Sequence, residues 1–281
     1  MFHDPELDRL TDGSGSIPSK PYVGDIEHLR TLQQPAQPIP KFDEALELLM
    51  KPENNHVKFN IDIKPNNPPE RLFSIMHKSI SKYTDYENRL APRLILGLWH
   101  PKFIEPAKNI IPYAHLAHIG MSTSLARSHF FLRHLLIEFK DHVKVLSMSF
   151  SSLISSDGQA FLKQCKESHK GVMVWTVNNR SEMVEASKVS ERLNMGFVNS
   201  GNQWGVDGII TDETKYFVQL RKDMESRPLT ISSDFDAISN ENGLLFPWSS
   251  LKYYKPLTDL AAYLEIKFIT LHGGQIERAS T

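Results

Sequence analysis

The sequence predicts an α/β fold of parallel strands covered by helices, either doubly wound or closed as a barrel. Short apolar runs alternate with amphipathic segments along most of the chain, and that βαβα rhythm is what parallel strands joined by crossover helices produce. The runs themselves, such as LILGLW and VMVWTV, are short and apolar throughout, as strands buried on both faces must be.

Residues 1–40 are rich in Gly, Ser, Pro and Asp (DGSGSIPSKPYVGD, QQPAQPIP). They predict turns and loops around one short helical piece, DIEHLRTL. KFDEALELLM follows as a helix, because Phe42, Ala45, Leu46 and Leu49 share a face and its acids lie where the helix dipole favours them. In VKFNIDIK the apolar Val57, Phe59, Ile61 and Ile63 alternate with polar residues, which predicts a strand ending at the Pro-rich PNNPP. From there the prediction runs PERLFSIMHKSISKY helix, LILGLW strand, PKFIEPAKNIIPY helix, AHLAHIGM strand, SLARSHFFLRHLLIEF helix. It continues with VKVLSMSF strand, DGQAFLKQCKESHK helix, VMVWTV strand, SEMVEASKVSERL helix, GVDGIIT strand and ETKYFVQLRKDM helix. Six strands result. Beyond residue 225 the alternation stops, so 1–225 is read as the barrel-type domain and 226–281 as an appended tail. Its aromatics Phe246, Trp248, Tyr253 and Tyr254 are expected to pack back on the domain.

At 281 residues with 40% hydrophobic content, the chain can form a sizeable core. Thirty-two basic against 33 acidic residues leave a net charge of -1, which gives no global field for nucleic acid or an anionic membrane. Phosphate recognition must then be local. The single cysteine, Cys165, excludes an internal disulfide and is expected to be a buried thiol. No leader pattern or membrane-spanning run is visible, so an intracellular location, cytoplasmic or peripheral to a membrane, is the expectation.

In a barrel the reacting groups project from the C-terminal ends of the strands. Four places qualify: His3-Asp4, Asp62 with Lys64 in NIDIKP, Trp175 to Asn178 in VMVWTVNN, and Asp207 to Asp212 in GVDGIITD. Each has a structural alternative. Asp62 with Lys64 is also a common surface ion pair, Trp175 also a core tryptophan, and Asp212 is expected to cap the following helix. His100, His115 and His118 read first as core histidines. No zinc-protease helix, Walker loop, dinucleotide fingerprint or serine-hydrolase elbow is present.

Taken in order, HDPELDRLTDGSGSI, IPKFDEALELL, IDIKP, VMVWTVNN and GVDGIITD resemble the glycerophosphodiester phosphodiesterase family over roughly residues 1–220. The stretch LILGLWHP…HLAHIGMSTSLARSHFF is similar to the fungal branch that includes phosphatidylglycerol-cleaving phospholipase C enzymes. The resemblance implies a TIM (β/α)8-type barrel and metal-dependent hydrolysis of a phosphodiester, on glycerophosphodiesters or glycerophospholipids. It implies that His3 is a catalytic acid or base, that Asp62 binds the metal, and that Lys64 faces metal and phosphate while Trp175 lines the substrate pocket. Oxygen ligands and a phosphate substrate imply Mg2+ or Ca2+. A lipid substrate would bring peripheral membrane contact. Nucleic acid is not an implied partner, and the oligomeric state is left open.

The family also carries a His-Arg-Gly strand and a Glu-x-Asp strand ahead of the His-Asp pair. Neither is found here; HLR at 28–30 and PEN at 52–54 have no strand context. The expectation is therefore an N-terminally truncated member, lacking its first two strands and inactive as this chain. The alternative is a non-catalytic phosphate- or lipid-binding relative of the same fold.

Overall fold

The structure, a computed structural model, describes residues 1–130, 142–187 and 206–226. Its strands are β1 (Phe59–Ile63), β2 (Leu94–Leu98), β3 (His115–Gly120), β4 (Val143–Ser149), β5 (Gly171–Trp175) and β6 (Gly208–Ile209). The helices are α1 (Phe42–Met50), α2 (Pro69–Ile80), α3 (Tyr86–Arg89), α4 (Ile104–Ile110), α5 (Thr123–Phe130), α6 (Phe150–Leu153), α7 (Ser156–Glu167), α8 (Arg180–Ser187) and α9 (Thr214–Ser226). The six strands form one sheet in chain order, β1-β2-β3-β4-β5-β6, and β3 through β6 pair in parallel. A doubly wound sheet reverses its strand order at a switch point, whereas a barrel keeps chain order. The choice left open by the sequence therefore falls to the barrel type.

The chain divides into two compact units. The first holds residues 1–62, 67–96 and 105–114, and the second holds 63–66, 97–104 and the described residues from 115 onward.

In the first unit, residues 1–40 have a small core of their own. Leu7, Ile26 and Ile39 are buried, with Phe2, Ile17, Tyr22 and Leu29 packed against them. DIEHLRTL is not the predicted helix. Residues Tyr22–Ile26 make a wide turn in which Gly24 takes a φ of +95°, a left-handed value that suits glycine. The chain beyond it is extended and bridged, Thr11 to Thr31 and Arg30 to Pro38. Asp12 explains the override: its carboxylate accepts from Arg30 N (2.8 Å) while its own N–H donates to Arg30 O (3.0 Å). Those groups are then not available to a helix.

Helix α1 starts where predicted, with Glu44 accepting from Lys41 N at 2.7 Å. It buries Leu46 and Leu49 completely. Helix α2 buries Phe73, Met76 and Ile80, packs on α1, and Lys82 just beyond it pairs with Asp43 of α1 at 2.9 Å. The PEN segment, Pro52–Asn54, is a 3-10 turn. Arg93 closes this region by donating to the carbonyls of Leu49, Asn54 and Val57.

In the second unit, β3, β4 and β5 form a continuous ladder, with Leu146 beside both His118 and Val172. Helix α5 is tied to α7 through Arg127, which grips both Asp157 oxygens at 2.8 Å and donates to Gln164, while Thr123 donates to Asp157 at 2.7 Å. Cys165 on α7 is fully buried and its thiol is pushed up to about 12 by that burial, as the sequence led one to expect of an inert thiol. The helices read beyond Phe130 and Ser187, and the tail with its aromatic cluster, lie outside the described residues. Among the described residues no helix is long and apolar enough to cross a membrane.

Candidate functional site

Strand β1 explains how Asp62 is presented. Ile61 and Ile63 are buried while Asp62 between them is only half-buried, so the period-two alternation places the carboxylate on the face opposite the core. His3 meets it there, with Nε2 3.6 Å from Asp62 Oδ2. The other side of the imidazole is held by its neighbour in sequence, Nδ1 lying 2.9 Å from Asp4 Oδ1. Asp4 is in turn gripped by Arg9, through Nε at 2.6 Å and an NH2 nitrogen at 2.9 Å. These bonds from Arg9 first, and from His3 second, hold the Asp4 carboxyl down at about 2. The predicted His3 and Asp62 are thus brought together in the first unit.

Lys64 and Trp175 belong to the second unit, and both meet Trp99. The Lys64 ammonium lies 5.6 Å from the centre of the Trp99 ring, within cation–π range. The Trp99 and Trp175 rings are 5.7 Å apart at 66°, an edge-to-face contact. Strands β3 and β4 separate β2 from β5 in the sheet. Three strand spacings come to roughly 14 Å in a flat sheet, so the two indoles reach toward each other over the sheet face. Trp175 is anchored by its indole N–H, which donates to Ser147 O at 3.0 Å. The segment bearing Lys64 is fixed by Lys102, whose ammonium donates to Pro65 O at 2.6 Å.

The last predicted place is corrected. Asp207 lies before β6 and stitches it to β5, accepting from Val172 N at 2.7 Å and donating its own N–H to Val172 O at 2.7 Å. That is the N-terminal end of the strand, away from where barrel chemistry sits. Asp212 does not cap α9 with its carboxylate. It accepts from Asn178 Nδ2 at 2.8 Å, while the Thr211 hydroxyl takes the Glu213 N–H. Asn178 thereby binds the end of β5 to the end of β6. His115 is exposed, whereas His118 is 2% exposed with Nδ1 3.2 Å from Leu98 O. His118 is the core histidine the sequence suggested.

Two residues of the site were not singled out from sequence. Arg9 sits in a turn within HDPELDRLTDG, and Trp99 closes LILGLW much as Trp175 closes VMVW; for Trp99 an aromatic at a strand exit was the available signal.

Among the described residues no three of His, Cys, Asp and Glu converge as metal ligands, and the Asp4 carboxylate is already gripped by Arg9.

The sequential β/α sheet with polar groups at its strand ends is of the TIM-barrel type. The chain belongs to the glycerophosphoryl diester phosphodiesterase family, whose model matches residues 1–216, a family of phosphoric diester hydrolases that generally depends on a divalent cation. In fold it is similar to an Oleispira antarctica phosphodiesterase solved in complex with the product sn-glycerol-3-phosphate, at 16% identity and TM-score 0.53, over 79% of this chain and 78% of that one. It is likewise similar to a Parabacteroides distasonis glycerophosphodiester phosphodiesterase, at 18% identity and TM-score 0.53, over 81% and 78% of the two chains. No curated protein matches the chain.

Proposed function

We propose that the chain recognises glycerophosphodiesters or glycerophospholipids at its strand ends, with His3 as the proton donor to the departing alkoxide. Lys64 supplies positive charge to the phosphate oxygens and Trp175 forms a wall for the glycerol part. The observation that carries this is His3 Nε2 standing 3.6 Å from Asp62 Oδ2. Cleavage of a diester leaves an alkoxide, which needs a proton from a positioned acid, and it builds negative charge on the phosphoryl oxygens, which needs a fixed cation nearby. Asp62 is the residue proposed to give an oxygen to Mg2+ or Ca2+, and among the described residues no group of three such ligands converges on it. For these 281 residues acting alone, the reading is therefore binding of the diester without robust turnover. The LILGLWHP and HLAHIGM stretches favour the fungal phosphatidylglycerol-cleaving branch, and with it a lipid substrate and contact with a membrane surface.

Phosphorus NMR of the 281-residue chain tests this with three substrates: glycerophosphocholine, glycerophosphoglycerol, and phosphatidylglycerol vesicles, each with and without Mg2+ or Ca2+. The expected result is no phosphomonoester signal, while sn-glycerol-3-phosphate shifts the indole resonances of Trp99 and Trp175 and Lys64→Ala removes that shift. Hydrolysis abolished by His3→Ala would overturn the binding-only part and support the proton-donor role. Neither binding nor hydrolysis would sink the whole proposal.

A further inference from the structure

We propose that His118 and His129 hold one ordered water molecule between the sheet and helix α5, hydrogen-bonded to His118 Nε2 and to His129 Nδ1. Neither residue takes part in the proposed phosphodiester chemistry, so this stands apart from the role of His3.

Strand β3 sets the first imidazole. His118 stands beside Leu146 of β4 in the ladder, and Leu146 is fully buried. Phe130 at the end of α5 covers the imidazole, with ring centres 4.9 Å apart. The ring of His129, one residue earlier on α5, meets it edge-on with centres 5.8 Å apart at 81°. The contact thus lies in an apolar layer, where a polar atom without a partner is costly.

One nitrogen of His118 is accounted for. Nδ1 lies 3.2 Å from Leu98 O, and since a carbonyl only accepts, Nδ1 carries the proton. The ring is neutral at ordinary pH, because burial first and His129 second pull it down to about 3. Nε2 is then a lone pair, and it is buried with no hydrogen-bond partner. His129 Nδ1 is buried in the same condition. Of the three such side-chain atoms among the described residues, two therefore sit on rings that touch.

The two nitrogens do not satisfy each other. A ring nitrogen lies about 1.15 Å from the centre of an imidazole, so centres 5.8 Å apart keep the pair at least roughly 3.5 Å apart, beyond hydrogen-bond reach. Whatever joins them must donate to the His118 lone pair and must suit His129 in either tautomer. Water does both, since it donates and accepts, and buried waters are held where polar groups of this kind face one small space. A metal ion is disfavoured. Among the described residues no three ligands converge, and the groups whose charge reaches His118 or His129 are His100 and His129 itself, with no carboxylate among them. The water ties α5 to β3 and, through His118 Nδ1, to the end of β2.

The test uses the full chain with nitrogen-labelled histidine at neutral pH. Long-range proton–nitrogen NMR is expected to show His118 as the Nδ1–H tautomer, with Nε2 shifted upfield of an unbonded ring nitrogen. Rotating-frame Overhauser spectra are expected to show contact between water and the proton on His118 Cε1. In His129→Leu the upfield shift and the water contact are both lost, while His129→Gln, whose amide can still meet a water, keeps part of each. The methyl signals of Leu146 and Val172, neighbours along the ladder, report whether the sheet persists, and the wild-type spectra decide if both variants disturb it. A His118 Nε2 at the unbonded position with no water contact, a coupling that shows the two imidazoles bonded directly, or signals unchanged in His129→Leu with the sheet intact overturns the proposal.

Discussion

Replacing Arg93 with Met removes one guanidinium that donates to three carbonyls distant from it in sequence. Those are Leu49 O in the last turn of α1, Asn54 O in the 3-10 turn and Val57 O, the last at 2.9 Å just ahead of β1. The final carbonyls of a helix have no partner within it, and a cation at that end also suits the helix dipole. Net contributions of hydrogen bonds from charged donors run at about 1.5 kcal/mol or more each. The site is only part-buried, so water recovers some of the loss, and about 3 kcal/mol for the three together is the working figure. For a chain of this size that corresponds to a fall in Tm of roughly 6–12 °C. Met keeps the aliphatic stem, so the loss isolates the polar head. Arg93→Lys offers a single ammonium in place of a fork and should recover less than half of it. Urea titration followed by circular dichroism gives the magnitude, and amide exchange at residues 57–63 shows whether the loosening reaches the strand that presents Asp62. A loss below about 1 kcal/mol for Arg93→Met, or an Arg93→Lys variant as stable as wild type, would refute the reasoning.

Acid sensitivity follows from the buried histidines. Burial, then the neighbouring His129, pulls His118 to about 3, and burial with His100 nearby pulls His129 to about 4. Unfolded imidazoles titrate near 6.5, so below that pH protons bind the unfolded chain in preference. Stability is then complete above about pH 6.5 and falls as the pH drops toward 4, by up to about 1.4 kcal/mol per pH unit for each histidine. Urea midpoints measured across this range check it, and a His118→Leu variant with the same pH slope as wild type would count against it. A last expectation concerns metal. Calorimetric titration of the 281-residue chain with Mg2+ or Ca2+ should find nothing tighter than about 1 mM, and a micromolar site lost in Asp62→Asn would show that the donors had been undercounted.

The six strands were legible because a buried parallel strand must be a short apolar run, and LILGLW, VKVLSMSF and VMVWTV leave no competing assignment. GVDGIIT was legible as a strand but not in its extent. Only Gly208 and Ile209 are assigned as strand, so Asp212 lies at the exit as read, while Asp207, grouped with it, lies at the entrance. DIEHLRTL failed for another reason. Its helical periodicity is real, but Asp12, eighteen residues away from Arg30, takes the backbone groups a helix would use. The same holds for Arg93, whose three acceptors lie 36 to 44 residues before it; no local pattern encodes such a contact. At the candidate site His3, Asp62, Lys64 and Trp175 were reached through motif order, while Arg9 and Trp99 needed coordinates, since what marks each is its contact with a neighbouring side chain.

His3 lies in a stretch with no helix or strand of its own, so its place depends on ties to neighbouring residues. Here the ties can be traced one by one. The amino group of Met1 donates to Pro40 O, Phe2 packs on the cluster of Leu7, Ile26 and Ile39, Asp8 accepts from Gly15 N at 2.8 Å, and Ile17 N donates to Pro5 O at 2.9 Å. Residues 1–40 thus behave as a folded excursion with its own apolar centre. The buried apolar side chains hold the segment, His3 and Arg9 are exposed, and Asp4 is half-buried between them.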